Sequence, residues 1–271
     1  MILTAAVITW DLTHNELPAE GVQSAQGAVA SEGWLATMDN QSGEAIVLIH
    51  DVADPLSNPT TVAQPLMQFD SPYALYENYL VMANESELRV IDVDAPNNVL
   101  LEQDVTGIQS LQMTSLQGKL VVLYIANDAL HAVNIEGQAV QVPTLPNSET
   151  IHLMSVSGIE ILLVSEEQPD TLRIGTIGTS GSLNIIMNAS TTAEQNRELE
   201  EWGQAVDDEN ASIEQVSFDS KHIAVRMNVS ALDRMVIYDR STGEQWLGFD
   251  PIYPVGNLSM GYGYVVWEGK D

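Results

Sequence analysis

Apolar residues recur along this chain in short runs, each closed by an aspartate or a polar residue at a turn. The first run is Val7-Ile8-Thr9-Trp10-Asp11-Leu12, and the next is Val47-Leu48-Ile49-His50-Asp51-Val52. Leu88-Arg89-Val90-Ile91-Asp92-Val93 and Leu130-His131-Ala132-Val133-Asn134-Ile135 follow, then Leu172-Arg173-Ile174-Gly175-Thr176-Ile177 and Met235-Val236-Ile237-Tyr238-Asp239-Arg240. Their fifth positions are residues 11, 51, 92, 134, 176 and 239, spaced by 40, 41, 42, 42 and 63. The last spacing is one period of about 41 residues plus an insertion of about 21, and a fixed period of this length marks a repeat architecture.

A second pattern precedes the first. Two-residue turns at Glu32-Gly33, Glu77-Asn78, Gln117-Gly118, Ser157-Gly158, Ser220-Lys221 and Tyr262-Gly263 are each followed by an apolar segment. Gly or Asn at such a turn supplies the positive φ that a tight hairpin needs. Strands are predicted after these turns, at residues 34–38, 79–83, 120–124, 159–164, 222–227 and 264–267. Weaker strands are predicted before them, as at 73–76, 152–156 and 215–218, and after the aspartate runs, as at 99–105, 140–144 and 183–187. Each repeat is therefore four short strands.

The central strands are apolar at successive positions, as in Leu120-Val121-Val122-Leu123. A sheet with one face in water would alternate strictly, so both faces are covered. Four-stranded sheets stacked face to face around an axis meet that demand, and the prediction is an all-β, six-bladed β-propeller of antiparallel four-stranded blades. The chain opens on a third strand and ends on a second strand. The N-terminal strands are thus expected to complete the last blade, which removes the free sheet edges. One domain over 1–271 follows, with blades at about 24–70, 71–107, 108–148, 149–190, 213–253, and 254–271 plus 1–23. The insertion at 191–212 is predicted helical. Thr191 and Glu194 fit a capping box, and Leu199, Trp202 and Val206 fall on one helix face. Leu199 and Trp202 are candidate partner-binding residues.

Charge narrows the functional classes. Asp plus Glu number 38 against 9 Lys plus Arg, a net −29. Nucleic acid is excluded as a partner because phosphate binding needs clustered cations. The longest clean apolar run, residues 120–126, is far shorter than the roughly 18 residues of a membrane span, so no membrane insertion is expected. There is no cysteine, which removes disulfides and thiol catalysis. An acid-rich, lysine-poor surface suits salty surroundings, where salt screens self-repulsion. Six Asn-x-Ser sequons, at Asn40, Asn84, Asn188, Asn210, Asn228 and Asn257, point to an extracellular or cell-surface location. The competing explanation is that Asn and Ser both favour turns.

Residues 77–98 resemble the repeat of LVIVD-type bacterial and archaeal β-propellers, through Leu88-Arg89-Val90-Ile91-Asp92-Val93 followed by Asp94-Ala95-Pro96-Asn97. Residues 46–59 are similar, and the other blades match in hydrophobic pattern. The resemblance implies a propeller, often attached to a cell surface. It brings no catalytic motif.

Little else in the chain carries chemistry. Asp11, Asp51, Asp92 and Asp239 read as turn caps, because an aspartate there bonds the backbone two residues on. The five histidines lack metal-ligand spacing, Asp207-Asp208-Glu209-Asn210 lacks the turn glycine of a tuned calcium loop, and no cofactor is expected. The innermost strands of a propeller line its central channel. Six residues before the second residue of the turn stand Gly27, Pro72, Gln112, His152 and Asn257, and six before the first turn residue Ser220 stands Glu214. The polar members Gln112, His152, Glu214 and Asn257 are candidate ligand-binding residues. The reading is a non-catalytic binding or scaffold propeller with protein or glycan partners. The alternative is a hydrolase or lyase acting on a polysaccharide or small ester through a His152–Glu214 pair.

Overall fold

The computed structural model describes residues 6–11, 22–23, 29–31, 34–41, 44–51, 53–54, 58–63, 71–189, 211–229, 232–242, 245–249, 255–261 and 264–269. The chain divides into two compact units, one comprising Met1–Ala6 and Gln23–Val142, the other Val7–Val22 and Pro143–Asp271. The described residues form antiparallel sheets in both.

In the first unit, Val29–Ser31, Trp34–Gln41, Glu44–Asp51 and Thr60–Ala63 form one sheet in chain order. Tyr73–Tyr76, Tyr79–Ala83, Glu87–Asp92 and Ala95–Asp104 form the next. Ile108–Leu116, Lys119–Ala126 and Ala129–Asn134 form a third.

The central strands are buried on both faces, for the reason their composition gives. In the middle sheet, Val81 and Val90 enter one core with Leu111 and Val122 of the third sheet. Leu80, Met82 and Ile91, of opposite parity, enter another with Val47 and Ile49 of the first sheet. This middle sheet is thus a layer between two cores, and apolar burial of this kind stabilises by roughly 25 cal/mol per Å².

The third sheet has three strands, which corrects the expectation of four strands in every blade. The outer strand expected at 140–144 does not form. In its place stand the bridge of Val133 with Ala139 and bonds from Val140 N–H to the Ala132 carbonyl at 2.8 Å and from Asn134 N–H to the Gln138 carbonyl at 2.9 Å. Asn134 turns the chain instead, its Oδ1 accepting from the N–H groups of Glu136 at 3.1 Å and Gln138 at 2.9 Å. Pro143 follows, and a proline has no N–H to give a ladder.

In the second unit, Ile151–Ser157, Glu160–Ser165, Thr171–Thr176 and Asn184–Asn188 form a sheet in chain order. Ser212–Phe218, His222–Val229, Leu232–Asp239 and Gln245–Phe249 form the next. The last has the order Val22–Gln23, Ala6–Asp11, Tyr264–Gly269, Val255–Gly261, with Asp11 opposite Tyr264 and Val7 opposite Glu268. The strand Ala6–Asp11 therefore pairs with Tyr264–Gly269.

Leu162, Val164 and Leu172 pack against Ile213, Val225 and Val236 between the first two of these sheets. An ion pair crosses the same interface. Arg240 reaches Glu160 at 2.7 Å, donates to the Asp219 carbonyl at 2.8 Å, and lies 5.3 Å from the Phe218 ring centre. The predicted insertion helix at 191–212 falls mainly outside the described residues. Its tail, from Ser212 onward, is already strand.

Candidate functional site

The first strand in chain order lies at the edge of every sheet but the last, where Val255–Gly261 takes the corresponding edge. In the first unit Tyr73–Tyr76 lies beside both Val29–Ser31 and Ile108–Leu116. In the second unit Ser212–Phe218 lies beside both Ile151–Ser157 and Val255–Gly261. These neighbouring edge strands are where the inner lining of a propeller is built.

Three of them share a feature in the second unit. Pairing slips by one residue between Ile151 and Leu153, which leaves His152 as the extra residue. It slips between Ile213 and Gln215, leaving Glu214. It slips again between Val255 and Leu258, the stretch that holds Asn257. A β-bulge bends its strand and re-aims a side chain out of the ladder. His152 is exposed, and Glu214 is half-buried with its carboxylate accepting from Ser212 Oγ at 2.6 Å. Both stand near the N-terminal ends of adjacent strands. The strand of His152 lies next to that of Glu214, and the strand of Asn257 lies next to that of Glu214 on its other side.

Gln112 differs. It sits in regular pairing opposite Leu123, half-buried, in the first unit. The bulge of its strand falls between Ile108 and Ser110, at Gln109, which is exposed and donates to Asp128 Oδ1 at 3.4 Å. Counting back from the turn therefore selects the bulge residue in the second unit and misses it here. The number of paired residues between bulge and turn is set by strand length, which no sequence signal records. Leu199 and Trp202 lie outside the described residues, as do Asp207, Asp208, Glu209 and Asn210.

The repeated aspartates serve turns. Asp51 Oδ1 accepts from the Ala53 N–H at 2.8 Å, and Asp92 Oδ1 from the Asp94 N–H at 3.0 Å. Asp239 Oδ1 accepts from Ser241 Oγ at 2.6 Å and from the N–H groups of Ser241 at 2.7 Å and Thr242 at 3.0 Å. The Ser241 hydroxyl bond, followed by the two backbone bonds, lowers the Asp239 carboxyl to about 2. The Asn84 sequon is a turn of the same kind. Asn84 is buried, and its Oδ1 accepts from the N–H groups of Ser86 at 2.9 Å and Glu87 at 2.8 Å. Among the described residues no group of three or more His, Asp or Glu side chains could hold a metal ion, and no helix is long and apolar enough to cross a membrane.

No family model and no curated protein matches the chain. Solved structures do match it. The β-propeller domain of the Trilobed protease from Pyrococcus furiosus, which has an open velcro topology, is 11% identical with a TM-score of 0.58, covering 98% of this chain and 81% of that one. The β-propeller domain of Myceliophteria thermophila Cps50 (Swd1) is 12% identical with a TM-score of 0.53, covering 98% and 90%. The WD40 domain of Toxoplasma gondii coronin is 12% identical with a TM-score of 0.50, and the chain spans 61% of that structure's length while 86% of the chain is covered. At such identities the likeness speaks to fold alone, and the fold is that of a β-propeller.

Proposed function

We propose that this chain is a non-catalytic binding or scaffold β-propeller that engages a protein or glycan partner through the inner strands. The observation that carries this reading is the set of bulges at His152, at Glu214 and in the Asn257 stretch, near the N-terminal ends of adjacent strands. Bulges repeated at one end of neighbouring strands direct polar groups toward a common opening, which is how a concave ligand site is lined. Gln112, on an inner strand of the first unit, is proposed separately as a ligand-binding residue. Leu199 and Trp202 are proposed as a further partner contact.

The proposal includes six blades in a single domain over residues 1–271. The pairing of Ala6–Asp11 with Tyr264–Gly269 supports a ring closed by both ends of the chain. It also includes kinship with LVIVD-type propellers, supported by the motif at Leu88–Val93, and a place at the cell surface or outside the cell, supported by the acid-rich, lysine-poor composition.

The test is binding of the full chain to glycan and peptide arrays, compared with the His152→Ala/Glu214→Gln double variant. Loss of a bound class in the variant, at an unchanged melting temperature, is the expected result. Hydrolysis or elimination of a polysaccharide or ester that Glu214→Gln abolishes would replace the binding reading with the enzymatic one.

A further inference from the structure

Among the described residues four large apolar side chains are exposed: Val99 at 40%, Ile159 at 49%, Ile185 at 65% and Ile186 at 41%. Two of the four are neighbours on Asn184–Asn188, the outer strand of its sheet. In a regular strand, adjacent side chains point to opposite faces. Here the register slips by one residue. Leu172 faces Met187, yet Arg173 faces Ile185, so Ile186 is the extra residue of a bulge. The bulge re-aims a side chain, and both isoleucines stand out from the blade.

The surroundings are unusual for this chain. From Thr176 to Asn188 the sequence is Thr-Ile-Gly-Thr-Ser-Gly-Ser-Leu-Asn-Ile-Ile-Met-Asn, without a charge, in a protein of net −29. Acids border the strand at one end. Asn188 lies opposite Thr171 and donates to Asp170 Oδ2 at 2.9 Å, and the same loop carries the exposed Glu166 and Glu167. Edge strands are ordinarily guarded by charge or proline, and Asn184–Asn188 has neither.

We infer that the Ile185–Ile186 knob is a docking surface for a cationic protein partner, one that offers an apolar strip flanked by lysine or arginine. Charge complementarity selects this occupant. A second copy of the chain would bring −29 against −29 and acid rim against acid rim, whereas a basic partner gains from both the exposed isoleucines and the acids beside them. The surface is distinct from the inner-strand site, because it lies at the opposite edge of the sheet whose inner edge is Ile151–Ser157.

The experiment measures binding of two synthetic dodecapeptides to the full chain, one alternating Lys and Val, the other alternating Lys and Ser, at low and high salt. The Lys/Val peptide should bind at least tenfold more tightly than the Lys/Ser peptide. Ile185→Ser/Ile186→Ser should bring it down to the Lys/Ser level. Ile159→Ser, at an exposed isoleucine elsewhere, should leave both affinities unchanged. Should the double serine variant melt lower, Ile185→Ser alone gives the same readout with half the change. Equal binding of the two peptides would overturn the inference, and so would full retention of Lys/Val binding by Ile185→Ser/Ile186→Ser. A concentration-dependent dimer of the wild-type chain, abolished by the same substitutions, would overturn it in favour of self-association.

Discussion

Arg89 and Arg173 occupy the same position of the repeat, the second residue of Leu-Arg-Val-Ile-Asp and of Leu-Arg-Ile-Gly-Thr. Both sit on the third strand of a sheet, beside the outer strand. Their fates differ. Arg89 faces Glu102 on its outer strand, pairs with it at 3.3 Å and with Glu87 at 2.8 Å, and keeps 21% of its side chain in solvent. Arg173 faces Ile185, which can accept nothing, and turns inward. It pairs with Glu149 at 3.4 Å, with 4% and 8% of the two side chains exposed, and donates to Ser165 Oγ at 3.4 Å and to Gln168 Oε1. The first arginine ties down a charged outer strand that carries Pro96, Glu102 and Asp104. The second ties its sheet to the segment that leads into it and leaves an uncharged outer strand. One residue across the ladder decides which part of the fold a conserved-looking motif position holds together.

The largest effect should come from breaking the buried pair. Glu149→Ala leaves the Arg173 guanidinium buried against fewer acceptors, and the expected loss is about 3 kcal/mol. Urea unfolding measures it. A loss below 1 kcal/mol would mean that Ser165 and Gln168 suffice to hold Arg173.

Gly175 comes next, two residues along the same strand. A Cβ there would lie 2.6 Å from Leu183 Cδ2 and 2.7 Å from Pro143 Cγ. The leucine can rotate away, but the proline ring cannot, so Gly175→Ala should cost about 2 kcal/mol as overpacking. The corresponding change in the other blade, Ile91→Ala, empties a core and should be read against it. Differential scanning calorimetry on both variants separates clash from cavity, because Pro143→Ala should rescue Gly175→Ala and leave Ile91→Ala unimproved.

The turns that end these strands differ as well, and pH resolves them. Where Asp239 caps its turn, the corresponding residue in the Arg173 strand is Thr176, whose carbonyl accepts from Thr179 Oγ1 at 2.8 Å. Asp239 titrates at about 2 in the folded chain against an ordinary 3.8. A depressed folded value contributes stability that is fully present above the unfolded value and fades as pH falls from there toward 2. Wild-type stability should therefore drop between about pH 4 and pH 2, and Asp239→Asn should flatten part of that slope. Between pH 7 and 5 this cap stays charged, so a gain from relieved surface repulsion meets no opposition from it. An identical slope in the variant would remove Asp239 from the account.

The smallest effect belongs to the exposed pair. Glu102 is 58% exposed, and Glu102→Ala should cost well under 1 kcal/mol, with the difference erased by added salt. The wild-type melting temperature should meanwhile rise with sodium chloride at pH 7, as the −29 charge is screened. A cost for Glu102→Ala equal to that for Glu149→Ala would end the distinction between the two arginines.

The sequence by itself determined the strands, their repeat and their turns, because these are local. Alternation and its absence report how many faces of a strand are buried, and Val81/Val90 against Leu80/Met82/Ile91 show the two-sided pattern at work. Asp51, Asp92 and Asp239 cap turns with bonds that span two or three residues, so the motif carries its own partners. Of the candidate residues the sequence singles out, His152 and Glu214 are bulge residues, whereas the bulge at Gln109 and the exposed Ile185–Ile186 pair carry no signal in the sequence. Bulges, the partner of an arginine across a ladder, and the missing fourth strand after Asn134 were decided by tertiary structure. Each depends on which residue of one strand stands opposite which residue of another. That register is set by packing between sheets, and no window along the chain contains it.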